Sequence, residues 1–169
     1  MSLLDDQEHA IHVPANGGLA RTFSTDVYVT KLSAEQTGGR LGLVHASIPP
    51  GQGPPPHIHA HSDELFYVLQ GELEFQDGDR TLIGRAGDAV YLPRGTVHRF
   101  KNIGIQSATM LFIYTPAGVE GGFVAAGGEL TPDVPVAPWD PEQFIAAVEI
   151  MRHHDFEFVK PQDNARPPG

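Results

Sequence analysis

The chain reads as an all-β protein, an antiparallel barrel or sandwich of short strands with one α-helix near its C-terminus. Three observations predict this. Glycine (19) and proline (15) are frequent and scattered through 169 residues, which favours many short elements over long helices. Eight segments of strand character follow one another at close spacing, separated by turn chemistry. Only one later stretch carries a clear helix start.

The strands are expected at Asp26–Ser33, Arg40–Pro49, Glu64–Leu69, Glu72–Gln76, Arg80–Gly84, Asp88–Leu92, Val97–Asn102 and Gln106–Thr115. "TGG" at 37–39 marks a turn, and "DGD" at 77–79 is a strong hairpin signal between two strands. Beyond Pro116 the character changes. "AGVEGGFVAAGGEL" is glycine-rich and weak as a helix. "DPEQFIAAVEIMRHH" is a better one, with Asp140 as N-cap, Pro141 at the first position and Gln143 completing a capping-box pattern. Phe144, Ile145, Val148 and Met151 form its apolar stripe, which needs a barrel wall or a neighbouring subunit to lie on. His153 and His154 close the helix, where histidine suits the dipole. The chain thus divides into an N-terminal arm (1–25), a β-barrel (26–116), a helical extension (117–160) and a tail (161–169) that reads as disordered.

Eleven Lys and Arg stand against 21 Asp and Glu, a formal charge of -10, and no basic block occurs. A nucleic-acid or anionic-membrane partner is therefore disfavoured. Cysteine is absent, which excludes a disulfide scaffold and a zinc ribbon and leaves any metal to His, Asp or Glu. "MSLLDDQEHA" lacks the basic and apolar regions of a signal peptide, and no apolar run approaches the roughly 20 residues of a membrane span. The expectation is a cytoplasmic protein.

The segment most charged with chemistry is "HIHAHSDE", residues 57–64. Histidines on alternate positions of a strand share one face, about 6.5–7 Å apart at the backbone. His57, His59 and His61 all qualify. Glu64 lies at odd spacing from all three, so a break must intervene, and Ser62–Asp63 has suitable turn chemistry. Glu64 then shares a strand face with Phe66 and Val68, and a carboxylate on an apolar face needs a partner, which a divalent cation supplies. Farther along, His98 opens a strand with Phe100 on the same side. With two histidines of the first segment and Glu64 it makes a set of three imidazoles and one carboxylate, leaving positions open on a five- or six-coordinate metal.

Two longer patterns contain these residues. In "GQGPPPHIHAHSDELFYVLQG", Gly51 is followed at fixed spacing by His57, His59, Glu64 and Gly71; in "GDAVYLPRGTVHRFKN", Gly87 is followed by Pro93, Gly95, His98 and Asn102. These resemble the two cupin motifs, and the wider stretch is similar to small single-barrel cupins grouped with bacterial quercetin-type dioxygenases. The resemblance implies a cupin double-stranded β-helix, a jelly-roll barrel. It implies His57, His59, Glu64 and His98 as ligands of one divalent transition metal (Fe, Ni, Mn, Co, Cu or Zn), and it leaves His61 over. It also implies a homodimer, a pairing in which the arm before Asp26 would find a use.

His61 reads as a solvated loop residue, or else as a group at the barrel mouth. His45, in strand parity with Leu41 and Leu43, reads as a core histidine in preference to a pocket-lining donor. Phe66, Val68, Phe75, Phe100, Met110, Phe112 and Tyr114 are read as core, a subset of them lining a cavity over the metal. The leading function is a metal-dependent dioxygenase acting with O2 on a small aromatic or enolisable substrate, with Glu64 as ligand and general base. The alternatives are a non-oxidative isomerase, cyclase or lyase on the same ligand set, and a small-molecule-binding module without turnover.

Overall fold

The computed structural model of the chain describes residues 9–159; the tail over 161–169, and residues 1–8 of the arm, lie outside the described residues. The strands are β1 (Leu19–Phe23), β2 (Asp26–Leu32), β3 (Gly42–Ile48), β4 (His57–Ile58), β5 (Asp63–Gln70), β6 (Glu72–Asp77), β7 (Arg80–Arg85), β8 (Ala89–Leu92), β9 (His98–Asn102), β10 (Ala108–Thr115), β11 (Gly128–Glu129) and β12 (Glu157–Phe158). Three α-helices, α1 (Ala34–Thr37), α2 (Glu120–Ala126) and α3 (Pro141–Met151), and a 3-10 turn over Arg152–His154 that continues α3 complete the set among the described residues. The strands form two antiparallel sheets, ordered β11-β1-β2-β3-β10-β5-β8 and β12-β4-β9-β6-β7. The all-β jelly roll expected from the sequence, with a C-terminal α-helix, is the fold observed.

Period-2 burial builds the core. Val44, Ala46 and Ile48 of β3 face Met110, Phe112 and Tyr114 of β10 and Phe66 and Val68 of β5, with Leu73, Phe75 and Phe100 from the other sheet. Phe66 is the hub, its ring centroid within 5.0–5.6 Å of Phe75, Phe100 and Phe112. All seven residues read as core are buried. His45 is not: with Leu43 it points to the outer face of β3 and is half-buried beneath residues 11–15. Gly42, Val44, Ala46 and Ile48 take the inner face, so strand parity leaves His45 and Leu43 on the outer one, and the core reading is corrected.

Two further differences shape the site. Leu19–Phe23, inside the segment read as an arm, is a strand paired along its length with β2 of the same chain through the turn at Ser24–Thr25. "LARTF" lacks clean alternation, which hides it from a periodicity reading. The glycine-rich stretch after Pro116 does form a helix over Glu120–Ala126. Its glycines cost helix propensity but allow close approach: a Cβ on Gly121 would lie 3.0 Å from His154 Nδ1, and one on Gly122 2.8 Å from Met151 Sδ. Tertiary packing against the end of α3 overrides local preference there. The α3 helix itself starts as expected, with the reciprocal Asp140–Gln143 capping box and Pro141 at its first turn.

Candidate metal centre

Four side chains from both motifs meet inside the barrel. His57 on β4 sits directly across from His98 on β9, their ring centroids 4.3 Å apart. His59 follows β4, and Glu64 is the second residue of β5. All four are at least 97% buried, and their candidate ligand atoms lie within 4.8 Å of one another. The break needed to bring Glu64 onto the histidines' side falls at residues 59–62, just ahead of β5.

The histidine orientations decide what this cluster is built for. His57 Nδ1 is 3.0 Å from Pro55 O, His98 Nδ1 2.9 Å from Thr96 O and His59 Nδ1 2.7 Å from Asp155 O. Carbonyl oxygens only accept, so each Nδ1 carries the proton and each Nε2 faces the centre. In neutral imidazoles three Nε2 lone pairs then converge with a carboxylate. His98 Nε2 is 2.8 Å and His59 Nε2 3.2 Å from Glu64 Oε2, and His59 Nε2 has no hydrogen-bond partner. A buried set of lone pairs aimed at one another needs a cation or extra protons. Burial and the neighbouring His98 and His59 push His57 down to about 3, so it stays neutral. Burial alone would raise Glu64 and lower His59, but each other's charge prevails, holding Glu64 deprotonated far below the usual carboxylate range and His59 above the usual imidazole value. The donor set fits a divalent transition metal, with three nitrogens and one oxygen and the other imidazole nitrogen of each histidine fixed by a carbonyl.

The cluster opens onto a cavity of about 100 Å³ reached by His57 and Glu64. Its walls are largely aromatic, with Phe100, Phe112 and Tyr114 from the barrel and Phe123, Phe144 and Phe156 from the C-terminal segment. Three of the core residues thus line it, as anticipated. A larger groove of about 860 Å³ runs outside, past Ala60–Ser62 and Arg152–Phe158, but none of the four candidate ligands borders it.

Several residues here gave no signal in the sequence. Asp155, in the left-handed region (φ 60°), accepts hydrogen bonds from the backbone N–H groups of Ala60, His61 and Ser62 at 2.8–3.2 Å and orients His59 with its own carbonyl. The break between His59 and Glu64 is therefore held by a residue more than ninety positions away, beyond what turn chemistry at Ser62–Asp63 supplies. Phe156 packs on the rings of His57 and His59, at 5.3 and 4.6 Å. His61 is exposed, its Nδ1 2.9 Å from Asp155 Oδ1. Of the remaining motif residues, Asn102 is a latch: its amide donates to Ile48 O and Gln106 O and its oxygen accepts from Gly104 N. Gly95 N–H donates to His59 O and so ties the second motif to the first.

Residues 44–114, which carry both motifs and three of the six cavity aromatics above, match the family model of the cupin domain. Over those residues the barrel is similar to a cupin domain. The polyketide synthase CurC of Streptomyces cyaneus is 36% identical over 100 residues, 59% of this chain and 60% of that protein, so the chain spans three-fifths of CurC's length. The tetracenomycin polyketide synthase protein TcmJ of Streptomyces glaucescens is 29% identical over 116 residues, 68% of this chain and 76% of that one. A predicted oxalate decarboxylase from Thermotoga maritima has a similar solved structure (TM-score 0.59, 22% identity, 63% of this chain and 99% of that chain), a likeness of fold. No helix among the described residues is long and apolar enough to cross a membrane.

Proposed function

We propose that the chain is a metal-dependent dioxygenase acting on a small enolisable or phenolic substrate. The observation that carries the reading is the set of three Nε2 lone pairs and one carboxylate, buried together and opening onto an aromatic cavity. A divalent transition metal held by His57, His59, Glu64 and His98 would stabilise a substrate oxyanion and give O2 a place to react. The chain's own groups do the rest. Phe100, Phe112, Phe123 and Phe156 exclude water and stack on a flat substrate. Glu64, the single anion among the ligands, is placed to take the proton of the hydroxyl that faces the centre. Tyr114 lies beside it, its phenol kept protonated by burial and by the Glu64 charge, and so remains a donor.

CurC and TcmJ carry polyketide synthase names, which supports a poly-oxygenated, enolisable substrate and favours a second reading, cyclisation or isomerisation without oxygen. Oxygen uptake by the metal-reconstituted protein, offered a panel of phenols and β-diketones, separates the two. Consumption of O2 coupled to product, lost in His98→Ala, supports the dioxygenase. Product formed equally under argon replaces it with the non-oxidative reaction.

A second copy of the chain is also part of the proposal. Tyr67, Leu69 and Tyr91 are exposed on neighbouring strands β5 and β8, and such a patch suits a homodimer. A monomer by light scattering at micromolar concentration would remove it.

A further inference from the structure

Asp26 opens β2 on its inward face, beside Tyr28 and Thr30, and is 7% exposed. Its Oδ2 accepts a 3.0 Å hydrogen bond from the Tyr28 hydroxyl, whereas Oδ1 is buried with no partner. The carboxylate lines the same cavity as His57 and Glu64, among Phe23, Phe112 and Phe123. A buried carboxylate satisfied at one oxygen in an aromatic pocket lowers stability, and a purely structural partner for Tyr28 would not need the charge. Fold and metal cluster leave it unused.

We propose that Asp26 is a second proton-accepting group of this pocket, receiving a hydroxyl or enol O–H of the substrate other than the one that faces the four metal ligands. The inference rests on the reading of the cluster as a metal-dependent site and narrows its substrate to a molecule with two oxygen functions, at least one of them protic. The O–H proton passes to Asp26 Oδ1, its bonding pair stays on the substrate oxygen, and no further reactant is required. Tyr28 holds the carboxylate in place through Oδ2 and is a positioning residue. The remaining titratable groups on the cavity are His57, Glu64 and Tyr114. Burial pushes the Asp26 carboxyl up to about 6, against the lowering effect of the Tyr28 bond, which suits proton exchange near neutrality.

Two measurements on Asp26→Asn test this. The first is thermal melting of the metal-free protein against pH. A carboxyl whose folded value is raised contributes stability that is fully present below its unfolded value and is lost as pH rises through the folded one. Asparagine does not titrate, so Asp26→Asn is expected to melt above wild type at about pH 8, with the gain vanishing at about pH 4. A variant that melts below wild type at the higher pH would mean that the charge is structural, and the inference falls. The second uses protein loaded with Ni(II) and 4-nitrocatechol, a chromophoric diphenol, as probe. Nickel content unchanged with a dissociation constant about tenfold or more weaker supports the role, since a charge-assisted hydrogen bond has gone. Full nickel loading with equal affinities overturns it and leaves the metal site standing. A wild type that takes up no nickel sinks both this inference and the reading of function on which it rests.

Discussion

The site is assembled from two regions that differ in how their residues meet. The four candidate ligands come from the two motifs, which put them in place by strand period and strand pairing: alternation sets His57 and His59, and one β4–β9 pairing sets His98 against His57. The cover over them, from α2 through β12, contributes residues that local pattern cannot place. Phe123, Met151, Asp155 and Phe156 reach the cavity or the ligand loop only by long-range packing. The ligand region should therefore fail chemically when altered, and the cover should fail mechanically.

The sharpest break is His98→Ala. It removes one nitrogen and the nearest imidazole to Glu64, and it is expected to abolish stoichiometric metal binding, measured by elemental analysis after reconstitution. Retention of full metal content would erase the distinction between the two regions at its root. Next comes Asp155, where the cover touches the ligands. Asp155→Ala leaves three backbone N–H groups to find water and forces alanine into a left-handed conformation, a loss of about 1–3 kcal/mol. The carbonyl that orients the His59 ring stays in place, but the loop that carries His59 loses its anchor, so metal affinity should fall about tenfold. Asp155→Asn tolerates the backbone and keeps one acceptor, and should fall between. Equal metal affinity in all three proteins would show that the loop holds its shape unaided.

Gly42→Ala tests the cover's anchorage without touching the ligands. An alanine Cβ would lie 2.2 Å from Glu120 Oε2, and that buried carboxylate bonds Ala34 N at 2.7 Å and Gly118 N at 2.8 Å. Displacing it should cost about 1–3 kcal/mol in unfolding free energy, with metal stoichiometry unchanged. Metal loss on the scale of His98→Ala would mean that the two regions are one cooperative unit.

The same division explains what the sequence made legible. His57, His59, Glu64 and His98 could be found because strand period and fixed spacing are local properties, and Asp140, Pro141 and Gln143 because a helix cap is one too. Glu120–Ala126 was hidden because its glycines argue against a helix unless the packing of Met151 and His154 is known. Leu19–Phe23 pairs within its own chain although its pattern is mixed, and His45 faces outward because Val44, Ala46 and Ile48 take the inner face of β3, which its apolar neighbours Leu41 and Leu43 did not reveal. Asp26 and Asp155 look like any other surface acids in the sequence. Only their partners, Tyr28 in one case and the 60–62 backbone in the other, make them part of a site.

The smallest expected effect belongs to the residue that the sequence made most conspicuous after the ligands. His61 continues the alternation of His57 and His59, yet the break at residues 59–62 turns it out of the barrel, and its side chain is 84% exposed. Its one side-chain bond, to Asp155, lies at the surface, where such a pair contributes about 0–1 kcal/mol. The Asp155 contacts that shape the loop run to backbone N–H groups, His61 N among them, and alanine retains that N–H. His61→Ala should therefore leave metal content and turnover unchanged and lower the melting temperature by no more than about 4 °C, with a surface contact of this size as the basis. A fall in metal affinity comparable to that of Asp155→Ala would instead mean that the imidazole, acting through the Asp155 carboxylate, helps to hold the ligand loop, and that the boundary between ligand region and cover runs through His61 itself.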